Sequence, residues 1–175
     1  MPEKNLKARS VRSAVALPVM VLIVLPVLIL VLTDTFRLCW GLSMPLAILL
    51  GLIGVGLIGA GLALLVNTIL LFANEGNGTL APWDPPKKLV VVGPYRFVRN
   101  PMHLGVFMTL FGESALSGSW PLLLLATLAF AFHWFYIPLF EERWLKQKFG
   151  EEYLRYKKHV RAWVPRLTPW EQDQD

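Results

Sequence analysis

"VVVGPYRFVRNPMHLGVFMTL", residues 90–110, crowds Arg96, Arg99, Asn100 and His103 at the entrance to a strongly apolar run. Charged and polar groups at a membrane edge are costly unless they meet partners or serve a function. Asn100-Pro101 is a strong helix start. Asn is a favoured N-cap, and Pro fits the first helical position because its missing N–H would be unpaired there anyway. A helix that begins at Pro101 turns its free N–H groups and positive dipole end toward the preceding loop. Such an end, reinforced by Arg96 and Arg99, attracts a carboxylate or a phosphate. The alternative, both arginines snorkelling to lipid phosphates, is preferred unless further groups converge on the same place.

The rest of the chain sets the surroundings. Its 175 residues are 55% hydrophobic with a formal charge of +5, and the mean hydropathy is +0.51. That is too apolar for an ordinary soluble domain. The apolar residues are blocked into long runs, and a run of about 18 or more reads as a bilayer span. The single cysteine, Cys39, excludes an internal disulfide framework and a cysteine-based zinc site, and no metal is expected. Nucleic acid is excluded as a partner, because the basic residues flank apolar runs instead of forming a stripe interleaved with stacking aromatics.

Four spans are expected in an all-α integral membrane fold: roughly 13–32, 42–72, 101–116 and 120–140. The third is short for a full crossing, so it and the fourth form a hairpin about "SGS" at 117–119. The expected division is 1–72, a basic tail and two spans, and 73–175, a catalytic region. Span two carries "GLIGVGLIGAGLALL" (51–65), with Gly56/Ala60 and Gly59/Ala63 four apart. Small residues at that spacing allow close helix approach; the seam serves either a homodimer or packing against span one or three of the same chain. Sixteen of the 17 Lys and Arg fall in the N-terminal tail, the 73–100 loop and the C-terminal tail, leaving Arg37 alone. The positive-inside rule then puts both termini and that loop in the cytoplasm.

From Gly118, His103 and His133 each lie 15 residues away, and Glu141 and Glu142 are level with Tyr95 and Pro94. At about 1.5 Å per helical residue the two imidazoles share a depth, and the GPYRFVRNP segment faces the acidic pair. A lone histidine is more often a satisfied buried polar group than a catalyst, and the matched depth raises that prior modestly. Glu113, five residues before the turn, sits apart from this cluster; it is either a functional intramembrane carboxylate or an interfacial one. After the acidic pair, Gly150 breaks the helical pattern. Glu151-Glu152 then open, and Lys157-Lys158 close, a segment charged as the macrodipole prefers. Its apolar side (Tyr153, Tyr156, Val160, Trp163) marks an interfacial helix lying as a lid over the loop. A pocket with anion-binding groups on one wall and carboxylates on the other suits a zwitterionic, cationic ligand such as S-adenosylmethionine.

"GPYRFVRNPMHLG" (93–105), "EERWLKQKFGEEYLRYKKHV" (141–160) and the final "VPRL" (164–167) resemble the integral-membrane methyltransferases grouped with isoprenylcysteine carboxyl methyltransferase and the phospholipid methyltransferases, in a bacterial-type form. The resemblance extends over roughly 76–167. It implies a cytoplasmic S-adenosylmethionine pocket built from the loop, the last two spans and the C-terminal helices, in a bacterial inner membrane. Carried over by position, it marks Tyr95, Arg99, Asn100, Pro101, His103, Leu104 and Gly105 on one wall and Glu141 and Glu142 on the other. Asn100 stands where many members have His, His103 where Tyr is usual, and Arg161-Ala162 where Pro-Arg is common. Ile137 occupies the position of a substrate-binding Arg in the prenylcysteine enzymes.

The expected reaction is methyl transfer to an oxygen or nitrogen of a lipophilic acceptor that enters from the bilayer. The protein holds the reactants in line and excludes water. A carboxylate acceptor needs no base, whereas an amine first loses a proton, for which His103 and His133 are the candidates. Two other classes remain open: an NADPH-dependent membrane reductase of the sterol-reductase type, and a non-catalytic scaffold using the Gly/Ala seam.

Overall fold

The computed structural model describes residues 16–75 and 89–171. The basic N-terminal tail and the GNGTLAPWDPPKK stretch lie outside these residues, and so do the expectations placed on them. The described chain is all helix and turn, with no strand. Helix α1 runs from residue 16 through a π-turn at Met20–Val24 and an α-helical stretch Leu25–Thr33. Helix α2 is Leu46–Glu75, α3 is Pro101–Ser117 and α4 is Trp120–Tyr136. A second π-turn, Ile137–Glu141, leads into α5, Glu142–His159. Each π-turn goes with a proline: Pro26 follows the first, and Pro138 lies within the second. A proline ring clashes with the carbonyl four residues back, and a widened turn relieves that clash.

Among the described residues, three helical stretches are long and apolar enough to cross a membrane: Ala16–Gly41, Leu46–Leu71 and one within Trp120–His159. Helix α3, at 17 residues, falls at the short limit for a crossing. The chain divides into two compact units. One joins Ala16–Leu65 to His103–His133; the other joins the described parts of Val66–Met102 and Trp134–Asp175.

The first unit is organised by glycine. A Cβ on Gly61 would stand 2.6 Å from the Gly105 carbonyl oxygen, and one on Gly105 would stand 2.7 Å from the Gly61 oxygen. Two turns away the contact repeats, with a Cβ on Gly112 falling 2.7 Å from the Gly54 oxygen. Helices α2 and α3 therefore run antiparallel and touch backbone to backbone at two positions seven residues apart. In lipid, where burial of apolar surface drives little, such close packing is a main source of helix association. Gly56 and Gly59, of the expected Gly56/Ala60 and Gly59/Ala63 seam, do not pack on another described helix of this chain: a Cβ at either would meet nothing within 4 Å.

The α3–α4 turn uses Gly118 at φ +60°, where a side chain would overlap the Arg37 carbonyl oxygen. The Arg37 amide donates to the Ser117 carbonyl at 2.7 Å, and the Thr35 and Ser119 hydroxyls bond at 2.7 Å. The link after α1 is thus tied to the hairpin turn.

Gly105→Val drives a branched side chain into backbone that cannot yield, at a cost of about 3 kcal/mol. Gly56→Val, on the open face, changes stability by less than about 0.5 kcal/mol. Thermal unfolding of both variants in one detergent measures the difference.

Candidate functional site

In the second unit, a short 3-10 turn at Gly93–Arg96 precedes the start of α3. The loop docks on α5 and the tail. Tyr153, Tyr156, Val160 and Trp170 form a buried cluster, with Leu89, Val91, Leu145 and Phe149 packed against it. Gly150, at φ +54° and ψ −127°, breaks α5 into two helical pieces. Tyr153, Tyr156 and Val160 of the expected apolar side enter the cluster; Trp163 instead stacks on Trp134 at 6.0 Å.

Backbone bonds then fix the loop to the tail. Arg99 N–H donates to the Arg161 carbonyl, Arg166 N–H to Phe97 and Trp170 N–H to Arg96, each at 2.9 Å. The Asn100 side-chain amide donates to the Ala162 carbonyl at 3.2 Å, and the Tyr156 hydroxyl to the Tyr95 carbonyl at 2.6 Å. Five contacts over six consecutive loop residues hold one wall of the site in place.

The charged centre is Glu142. One carboxylate oxygen meets Arg99 at 2.8 Å and the other meets Lys157 at 2.5 Å. The side chains of Arg99 and Glu142 are only 10% and 6% exposed, whereas Lys157 is 46% exposed. Arg99 also donates to the Tyr153 hydroxyl at 3.4 Å, while its buried Nε has no hydrogen-bond partner. Arg96 turns away, bonding the Trp170 carbonyl at 3.0 Å and Glu171 at 2.6 Å. Glu141, half-buried in the π-turn, makes no hydrogen bond or ion pair with the described residues. Burial, helped by Tyr156 and Glu141, pushes the Tyr95 phenol well above its ordinary range. Tyr95 therefore stays protonated at neutral pH.

The other expected site residues belong to the first unit. The His103 and His133 rings lie 5.0 Å apart, centre to centre. Phe107 packs edge-on to His133 at 5.4 Å and to Phe130 at 5.3 Å. His133 Nδ1 lies 2.8 Å from the Ala129 carbonyl oxygen. A carbonyl only accepts, so the Nδ1 proton is placed there, and in the neutral ring Nε2 keeps its lone pair. Gly105 is occupied in the contact with Gly61 and Leu65, and Leu104, its neighbour on α3, is partly buried.

Sequence reasoning missed Tyr153 and Lys157 as partners of the Arg99–Glu142 pair, and Glu171 as the partner of Arg96. Tyr153 and Lys157 are four apart on one helical segment, so they share a face. That spacing was the available signal, but nothing local said which face met Arg99.

Glu142→Ala leaves Arg99 buried without its counter-ion and costs about 3–5 kcal/mol. Lys157→Ala, which removes the half-exposed partner, costs under about 1 kcal/mol. Hydrogen exchange of the Arg99 and Asn100 amides, read with the unfolding temperature, separates the two.

A search of curated proteins finds no match. A family model described as phospholipid methyltransferase matches residues 50–152. The matched region takes in most of α2, the loop, α3, α4, the acidic pair and the first half of α5; Tyr153, Lys157 and the tail lie past its end. Covering more than half of the chain, the match shows that the protein belongs to the phospholipid methyltransferase family.

Proposed function

We propose that this membrane methyltransferase takes S-adenosylmethionine as its methyl donor and a lipophilic molecule from the bilayer as acceptor. Membership of the family supports methyl transfer. The observation that carries the choice of donor is the unlike fate of the acidic pair. Glu142 is neutralised by Arg99 and Lys157, while Glu141 beside it is half-buried with no counter-ion among the described residues. A carboxylate in that state suits a ligand with an ammonium group, a sulfonium or ribose hydroxyls. The donor, when bound, supplies an electrophilic methyl group on its sulfonium.

Glu141 holds the ammonium or the ribose. Arg99 keeps Glu142 charged and the Tyr95–Asn100 loop in register. The same charge pattern disfavours a nicotinamide dinucleotide, which needs several cations free for its phosphates. Arg96, Arg99 and Lys157 are each already taken by a carboxylate. The flanking basic residues favour a cytoplasmic site with both termini on that side.

The histidine pair suits an amine acceptor. His133, whose ring lies 5.0 Å from that of His103, is the base that removes the amine proton before attack. His103 packs against it and holds the ring.

Glu141→Gln weakens S-adenosylmethionine binding by at least about tenfold, the worth of one hydrogen bond to a charged group. Calorimetry in nanodiscs, with NADPH as comparison, reads this; tight NADPH binding by the wild type overturns the proposal. His133→Ala lowers kcat for an amine acceptor about 100-fold. It leaves cofactor affinity and transfer to a carboxylate acceptor unchanged, as labelled-methyl assays on the two acceptor classes measure.

A further inference from the structure

The outer side of α5 carries a surface that neither the fold nor the methyl-transfer reading uses. One face of its first half turns toward the protein: Glu142 is buried against Arg99 and Lys157, and Leu145 and Phe149 pack on the tyrosine cluster. At about 100° per residue, Arg143, Trp144 and Lys148 are directed away from that face, and all three are exposed. Trp144 and Lys148 also end a stripe of exposed residues spaced four apart, Tyr136, Phe140, Trp144 and Lys148. The Tyr136 and Phe140 rings stack at 5.3 Å, and the Lys148 ammonium lies 4.7 Å from the centre of the Trp144 ring. The stripe starts in the last turn of α4 and crosses the π-turn into α5 without a break in the helix.

Polarity rises along this stripe. It leaves the apolar helix through a tyrosine and a phenylalanine, passes an indole and ends on a cation, with Arg143 beside it. Aromatic rings of this kind settle at the headgroup level of a bilayer, and a lysine reaches outward from there. Neither Arg143 nor Lys148 forms an ion pair among the described residues. An ammonium has three N–H donors, so one set over a ring still has donors to offer an anion. The lipid contact expected of Tyr153, Tyr156 and Val160 is not made there, because these side chains are spent inside the protein cluster. It falls to the first half of α5.

We propose that this stripe binds an anionic phospholipid, its phosphate taken by Lys148 and Arg143 and its chains lying along Phe140 and Tyr136. Two cations with no acid among these five residues select a head of net negative charge over a zwitterionic one, whose own ammonium they repel. The assignment is independent of the methyl donor and of the acceptor.

Native mass spectrometry of the full chain in detergent, without methyl donor, tests it. The probes are dioleoyl phosphatidylglycerol and dioleoyl phosphatidylcholine, which share their chains and differ in head charge. The wild type is expected to hold one phosphatidylglycerol at least about tenfold more tightly than phosphatidylcholine, given what each basic residue adds beside an anionic headgroup. Arg143→Gln combined with Lys148→Gln removes that preference. Lys158→Gln, which removes an exposed cation past the Gly150 break, keeps it. Phe140→Ser weakens both lipids alike. Equal retention of the two lipids, an unchanged preference in the double variant, or an equal loss in Lys158→Gln overturns the proposal. If Phe140→Ser holds both lipids like the wild type, the chains lie elsewhere and the assignment is wrong.

Discussion

A carboxylate withdrawn from water must be matched by cations, and the unit that carries the loop and tail is arranged around that need. Glu142 is almost fully buried and meets Arg99 on one oxygen and Lys157 on the other. Desolvating such a pair costs several kcal/mol per ion, recovered only with good geometry and further hydrogen bonds. The further bonds here are those that bind the loop to the tail. Arg99 is held through its own backbone N–H to Arg161, and the residues on either side of it reach Tyr156, Ala162, Arg166 and Trp170. Apart from the short turn at Gly93–Arg96, the described residues of the loop and tail have no regular structure of their own to keep them in place. The ion pair and these backbone bonds therefore require one another: the bonds aim the guanidinium, and the charge keeps the loop down.

The membrane unit obeys a different constraint, closeness. Gly61 against Gly105 and Gly54 against Gly112 bring two helix backbones into direct contact. That contact also fixes the rotation of α3 about its axis. Gly105 is two residues from His103, so setting Gly105 toward α2 turns His103 toward another side, where His133 and Phe107 lie. The glycines thus act on the histidine pair only through orientation.

Much of this could be read from the chain, for reasons that differ by element. The long apolar helices followed from hydropathy, because lipid imposes a length on any helix that crosses it. The histidine pairing followed from counting 15 residues on each side of Gly118, because helical rise is constant and the turn is tight. Glu142's position opposite Arg99 followed from the same count. The small-residue seam was harder to place. Spacing by four is visible within one helix, so Gly56/Ala60 and Gly59/Ala63 stood out. Gly54 and Gly61 are seven apart, and their role emerges only with the matching spacing of Gly105 and Gly112 on another helix. Lys157 and Glu171 were missed for a related reason. An ion pair between segments distant in sequence leaves no local pattern.

The two adjacent acids come to unlike fates for a geometric reason. Successive residues on a helix point about 100° apart, so a single cluster of cations cannot face both. The π-turn at Ile137–Glu141 sharpens the division, since its widened geometry ends where the regular helix of Glu142 begins. Glu142 is directed at Arg99 and Lys157, and Glu141 is left among groups that do not neutralise it. Stability alone would favour an uncharged residue at position 141, where a half-buried acid without a counter-ion adds nothing to the packing. Glu142 is explained by the fold. Glu141 is not, and that difference is the physical basis for the proposal that one carboxylate is structural and the other faces the ligand.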